Sequence, residues 1–133
     1  MSGFLLDTSA FLILGLEDSL VSRSTRGALE AAPRFVSQVC GIEMAIKQSV
    51  GKLRLPAPFQ TSFSGAFERM IDEFGAHLLS LEMSHIDTFS RLPLRHRDPF
   101  DRLMIAQAIA EGLTLVTSDR AFRLYDDLSV LEF

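Results

Sequence analysis

Five carboxylates occupy positions that solvation alone does not explain, since Asp and Glu rarely sit in apolar surroundings unless something pairs with them. Asp7 comes straight after Phe4-Leu5-Leu6 and ahead of a second apolar run, and Asp119 follows Leu113-Thr114-Leu115-Val116-Thr117 in the same manner. Glu43 lies among Val39, Ile42, Ile46 and Val50, which mark the expected inward face of a helix, and Asp98 and Asp101 bracket Pro99-Phe100. Each has a local explanation to weigh against a chemical one. An Asp after a strand can be a turn residue or a helix N-cap. Glu43 can pair with Lys47 one turn on, but such a pair is worth only about 0.3–0.5 kcal/mol on an exposed helix and does not account for an acid among core positions. Asp98 is fully explained as the N-cap before Pro99. Asp101, at the third helical position, either favours the helix dipole by roughly 0.3–1 kcal/mol or projects toward Asp7 and Asp119, and both readings stay open. Taken together, Asp7, Glu43, Asp98, Asp101 and Asp119 offer hard oxygen donors and no soft ones, a set that selects Mg2+ or Mn2+ over zinc or copper. Converging carboxylates repel one another and raise at least one pKa, a conflict that a divalent cation resolves. The chemistry that follows is phosphodiester hydrolysis, with no side-chain nucleophile required.

Other chemistries find little support. The sequence has no GxxxxGK[ST] phosphate loop and no GxSxG elbow, and Cys40, following Val39 in a helical stretch, reads as a small core residue. His77, His85 and His96 share no metal-ligand spacing, and His96 reads as a loop residue with a phosphate contact as the alternative. Arg91, Arg95 and Arg97 come just before Asp101 and Arg102 just after it, while Lys47, Lys52 and Arg54 form a second basic group. A basic lip beside an acidic centre suits a polynucleotide, so Arg95, Arg97, Arg102 and Lys47 are candidate RNA contacts, against the competing reading of solvated surface charge.

The elements that must position these residues follow from hydrophobic periodicity. Short apolar runs at Phe4–Leu6, Arg34–Ser37, His77–Leu81, Leu113–Thr117 and Ser129–Leu131 read as strands separated by helices. Phe63, Phe67, Met70, Ile71 and Phe74 recur at helical steps up to Gly75. Ser84-His85-Ile86-Asp87 reads as a capping box that turns Ile86 and Phe89 inward, and Asp98-Pro99-Phe100-Asp101 opens a helix ending at Gly112. Strands alternating with helices imply an α/β fold, a three-layer α/β/α sandwich with a short, mainly parallel central sheet. Asp7 and Asp119 would then emerge together at the carboxyl ends of their strands, where open α/β sheets hold ligands.

The composition fits one domain over residues 1–133. Forty-seven per cent of the residues are hydrophobic and 23% charged, a balance incompatible with general disorder. The net charge of −4 argues against a simple basic surface for nucleic acid. A single cysteine excludes an internal disulfide, and Met1-Ser2-Gly3 carries no basic region ahead of the apolar run, which points to a cytoplasmic protein. The longest apolar stretch, Phe4 to Leu16, contains Asp7 and falls short of the roughly 20 residues a membrane span needs.

Four segments carry a family resemblance: Phe4-Leu5-Leu6-Asp7-Thr8-Ser9; Ile42-Glu43-Met44-Ala45-Ile46-Lys47 with Gly51-Lys52-Leu53; His96-Arg97-Asp98-Pro99-Phe100-Asp101-Arg102-Leu103-Met104-Ile105-Ala106-Gln107-Ala108; and Leu115-Val116-Thr117-Ser118-Asp119-Arg120-Ala121-Phe122. In order and spacing they resemble PIN-domain ribonucleases of the VapC type, the toxins of bacterial toxin–antitoxin pairs. The resemblance implies a Mg2+- or Mn2+-dependent endoribonuclease whose acidic site maps onto Asp7, Glu43, Asp101 and Asp119, with Asp98 adjacent. It also implies a homodimer and a cognate antitoxin whose tail covers the acidic groove. Two departures stand out: Ser9 replaces a frequent His, and Val39-Cys40-Gly41-Ile42 lacks the aromatic residue that commonly precedes the Glu. The apolar surplus, notably Phe11 to Leu16 and Val50 to Phe67, is expected to line a partner surface, with a Phe-rich monomer core as the alternative. Two functional alternatives are a PIN-like RNA-processing nuclease that is not a toxin and a non-catalytic acidic-pocket domain such as a receiver. The receiver lacks its late Lys, because no Lys follows Lys52.

Overall fold

Five short apolar runs pair into one parallel sheet. The computed structural model describes every residue except Met1, Asp18, Leu20, Arg120, Ala121, Arg123 and Leu124. In chain order the elements are β1 (Phe4–Leu6), α1 (Thr8–Leu16), α2 (Arg23–Glu30), β2 (Arg34–Ser37), α3 (Gln38–Ser49), α4 (Pro58–Thr61), α5 (Phe63–Glu73), β3 (His77–Leu79), α6 (Met83–Ser90), α7 (Pro99–Glu111), β4 (Thr114–Thr117) and β5 (Val130–Glu132). The strands lie in the order β3-β2-β1-β4-β5, and every neighbouring pair is parallel. Right-handed crossovers place α1 to α5 over one face and α6 and α7 over the other, giving the expected three layers. Leu5, Leu6, Val36, Leu115 and Val116 are fully buried in the central strands. Such continuous apolar strands are the mark of a sheet covered on both faces.

The strand order creates a crevice. From β1 the chain steps outward to β2 and β3, and α6 and α7 then carry it back past β1 to β4. The direction of winding therefore reverses between β1 and β4, and side chains at their carboxyl ends face a gap that no crossover fills. The pairing of Leu6 with Val116 sets the register. The Asp7 N–H donates to the Val116 carbonyl at 3.0 Å, which extends the ladder into the first acidic residue.

Helix α7 is fixed from both ends. Asp98 caps its start, Pro99 takes the first position, and Gly112 ends it with a left-handed φ of 68°. A buried polar chain fixes its rotation. The Ser37 hydroxyl donates to Gln107 Oε1 at 2.5 Å, Gln107 Nε2 lies 3.3 Å from His85 Nδ1, and His85 Nε2 lies 3.1 Å from Glu111 Oε2. This chain ties β2, α6 and α7 together through groups that would be costly to leave unsatisfied.

Three local expectations are corrected. Helix α6 starts earlier than the Ser84 cap, with Glu82 as N-cap and its N–H bonded to His85 Nδ1. That shift turns His85 inward and leaves Ile86 exposed. The buried face of α3 consists of Val39, Cys40, Glu43 and Met44, which places Glu43 at its centre, whereas Ile42, Ile46 and Val50 lie on the exposed flank. The phenylalanines fill the core: Phe11 meets Phe67 edge-on at 5.9 Å, and Phe63 stacks on Phe67 at 6.2 Å. The stretches Phe11–Leu16 and Val50–Phe67 therefore supply mostly interior packing, with Leu16 and Val50 as their exposed large apolar residues.

Gly41 on α3 packs against the Phe67 ring of α5, and a Cβ there would lie 2.8 Å from Phe67 Cε2. Gly41→Ala should destabilise the protein by about 1–3 kcal/mol through overpacking, despite the helix-propensity gain of about 1 kcal/mol. Urea denaturation measures the balance, and a variant more stable than wild type would refute the close approach.

Candidate active site

The carboxyl ends of β1 and β4 and the N-termini of α1 and α7 meet at the crevice, and the acidic residues are distributed among them. Asp7 is buried and caps α1: its Oδ1 accepts the Ala10 N–H at 2.8 Å and the Ser9 hydroxyl at 3.1 Å. Burial raises its pKa, hydrogen bonds from Thr117, Ala10 and Ser9 draw it back, and the Glu43 charge adds to the rise. Structural cap and site acid are thus the same residue.

Glu43 is only 3% exposed and is held at both oxygens. Thr8 Oγ1 donates to Oε1 at 2.5 Å, and Lys47 Nζ lies 2.8 Å from Oε2. The i,i+4 pair anticipated from sequence therefore exists, with its carboxylate buried and its ammonium half exposed. The hydrogen bond to Glu43 raises the Lys47 pKa, helped by the charges of Asp98 and Asp101, so this ammonium faces the whole acidic group.

Asp101 and Asp119 meet at His96. The His96 Nε2 lies 2.8 Å from Asp101 Oδ2 and 3.9 Å from Asp119 Oδ2. One ligand atom from each of the three residues falls within 4.8 Å of the others. Burial, then repulsion from Asp98 and Glu43, pushes the Asp101 pKa up to about 6 against the opposing effect of the His96 hydrogen bond. Asp119 is half exposed, and its N–H donates to Thr117 Oγ1 at 2.9 Å. Thr117 thus contacts both strand-end acids. Asp98 Oδ1 accepts the N–H groups of Phe100 and Asp101 at 2.9 and 3.2 Å, the full N-cap role.

The basic residues divide into two groups. Arg95 and Arg97 are exposed on the segment leading to α7, and the Arg95 N–H anchors that segment on the Tyr125 hydroxyl at 3.2 Å. Arg102 instead has its guanidinium 4.7 Å above the Phe89 ring and donates to the Leu92 carbonyl, so it fastens α7 to α6. Of the Thr117–Phe122 motif, Arg120 and Ala121 lie outside the described residues.

The sequence reading missed His96, Thr8 and Thr117 as members of the site. His96 had a signal: it sits five residues before Asp101, in a loop whose reversal is fixed by the Asp98-Pro99 helix start. Thr8 and Thr117 had none, because their role depends on the strand pairing that brings each hydroxyl to an acid from another element.

The geometry defines an α/β nuclease-like acidic crevice, and the comparisons place it. A PIN domain family model matches residues 4–128, and the chain belongs to that family. Solved structures share the fold across nearly the whole length. VapBC2 from Rickettsia felis, bound to a DNA fragment from its promoter, superposes with a TM-score of 0.70 at 17% identity, covering 100% of this chain and 99% of that one. DNA-bound VapBC from Salmonella typhimurium gives 0.71 at 16% identity, covering 99% and 98%. VapBC-5 from Mycobacterium tuberculosis gives 0.61 at 18%, covering 99% and 98%. No curated protein matches the sequence.

The raised pKa of Asp101 makes a prediction about metal-free protein. Because its folded pKa of about 6 exceeds the ordinary 3.8, the native state holds the proton more tightly, and this contribution to stability is present below pH 4 and lost as pH rises through 6. Asp101→Asn should therefore be more stable than wild type at pH 7.5 in EDTA, by about 1 kcal/mol after allowance for solvent screening, with the gap closing toward pH 4. Urea titrations across that range test the sign.

Proposed function

We propose that the chain is a divalent-metal-dependent endoribonuclease of the VapC toxin type, acting as a homodimer and neutralised by a cognate antitoxin. The observation that supports this reading is that, in a PIN fold, the Glu43 charge acts on both Asp7 and Asp101 while Asp101 and Asp119 both face His96, four acids contributed by separate elements. The neighbours that share the fold are named as toxin–antitoxin complexes, which supports the toxin assignment. Among the described residues no helix is long and apolar enough to cross a membrane, in keeping with a nuclease acting on dissolved RNA.

The donor set fits Mg2+ or Mn2+. Asp7, Asp101 and Asp119 offer hard carboxylate oxygens; burial first, and then neighbouring negative charge, raises the pKa of Asp7 and Asp101, and a bound cation offsets both costs. When bound, such an ion supplies an activated water for attack on a phosphodiester and stabilises charge on the leaving oxygen. The protein's part is positional. Thr8 and Lys47 hold Glu43 at the inner wall, so that its charge acts on the crevice from a fixed point. Asp98, committed to capping α7, acts on Asp101 through its field rather than as an equivalent donor. Arg95 and Arg97, exposed on the segment that leads to α7, and Lys47, beside Glu43, are cations suited to flanking phosphates in a chain of net charge −4.

Asp7→Asn keeps a residue that caps helices well while removing the charge, so the fold should survive and RNA cleavage should fall at least 100-fold in matched Mg2+ or Mn2+. Cleavage of cellular RNA by the purified chain, with 5′ ends sequenced and EDTA as control, is the direct test. Wild-type rates in the Asp7→Asn protein would overturn the assignment, and cleavage without toxicity on expression would favour an RNA-processing nuclease.

Thr8→Val should weaken cleavage about tenfold and lower stability by about 1–3 kcal/mol, since it removes one of the two groups that orient Glu43 and leaves a buried carboxylate oxygen without its donor. Steady-state kinetics beside a thermal melt separates the two effects. Sedimentation at micromolar concentration, alone and with candidate antitoxins, should show a dimer and a larger complex.

A further inference from the structure

We infer that His96 is a metal-selecting ligand of this site, adding one imidazole nitrogen to the carboxylates and shifting its preference from Mg2+ toward Mn2+. The inference rests on the metal-dependent reading above and goes beyond it, because an all-carboxylate site makes no such choice.

Three observations carry it. First, His96 Nε2 faces both acids, at 2.8 Å from Asp101 Oδ2 and 3.9 Å from Asp119 Oδ2. A small octahedral ion with donors near 2.1 Å spaces adjacent donors about 3 Å apart and opposite donors about 4.2 Å apart, a range that contains both distances from His96 Nε2, and one ligand atom from each of the three residues lies within 4.8 Å of the others. Second, the ring is held in place independently of the acids. The buried Phe122 meets it edge-on at 5.4 Å and 81°, and the segment that carries it is anchored by the Arg95 N–H on Tyr125. Ligands fixed by surrounding packing bind with less loss of freedom. Third, the chain has only three histidines, and the other two are occupied elsewhere. His85 is sealed between α6 and α7, and His77 is exposed on the edge strand β3 beside Phe35.

The chemistry then follows from donor hardness. Mg2+ binds oxygen and gains little from imidazole, whereas first-row transition ions gain affinity from a nitrogen donor in the order that begins with Mn2+. A nitrogen at this position therefore separates two ions that carboxylates alone treat alike.

The test needs no RNA. Electron spin echo spectroscopy of the wild-type protein loaded with Mn2+ should show nuclear modulation from a directly bound imidazole nitrogen. His96→Gln, which retains an N–H donor for Asp101, should abolish that modulation and lower the Mn2+-to-Mg2+ affinity ratio in calorimetry by about tenfold or more, while His77→Gln changes neither. Bound Mn2+ without nitrogen coupling in the wild type, or an unchanged affinity ratio in His96→Gln, overturns the assignment of His96 and leaves the metal-dependent reading intact. Absence of saturable binding for both ions overturns the two together.

Discussion

Negative charge concentrated in a partly dry crevice works against folding, and the architecture is arranged around holding it there. The parallel pairing of β1 with β4 forces two strand-end acids to the same edge. The approach of α3 and α7 adds Glu43 and Asp101, and burial, with repulsion between the carboxylates as a smaller contribution, raises the pKa of Asp7 and Asp101. Four polar neighbours offset part of this cost: Thr117 and Thr8 donate hydrogen bonds, Lys47 supplies a cation, and His96 lies between Asp101 and Asp119. Loss of any one leaves the others to hold a charge density they do not balance.

Much of this was legible from the residues. The parallel sheet followed from apolar runs alternating with helical stretches, and the adjacency of the β1 and β4 carboxyl ends was the condition for Asp7 and Asp119 to meet. The Asp98-Pro99 start and the Gly112 stop were readable because capping is local chemistry. What escaped was rotational. Ile42, Ile46 and Val50 have the spacing of a buried face, but hydrophobicity alone cannot say which of two adjacent stripes turns inward when Glu43 must reach Thr8 and the crevice. Ile86 was misjudged for a similar reason, as a helix that begins at Glu82 instead of Ser84 presents His85 to the core. The membership of His96 depended on a loop path that no periodicity encodes.

Structural and chemical explanations of a residue proved compatible more often than exclusive. Asp7 caps α1 with one oxygen while its charge belongs to the crevice. Glu43 forms the ordinary helix pair with Lys47, yet its own end of the pair is buried and the pair serves to place the carboxylate. Asp98 comes nearest to a purely structural role, and even there its charge is felt by Asp101. Small domains have few positions to give away, so helix starts, where backbone N–H groups favour anions, are natural places to gather acids.

The register of β1 against β4 also has a consequence in time. Leu6 and Val116 are neighbours in space but lie nearly a full chain apart in sequence, so their contact is among the most non-local the fold contains. During synthesis Asp7 leaves the ribosome early and must wait for β4 to be made and inserted beside β1 before Asp119 can join it. Until then α1, α3 and α5 can pack while the acidic centre is still incomplete. The crevice therefore cannot close until nearly the whole chain has been made and β4 has been inserted beside β1.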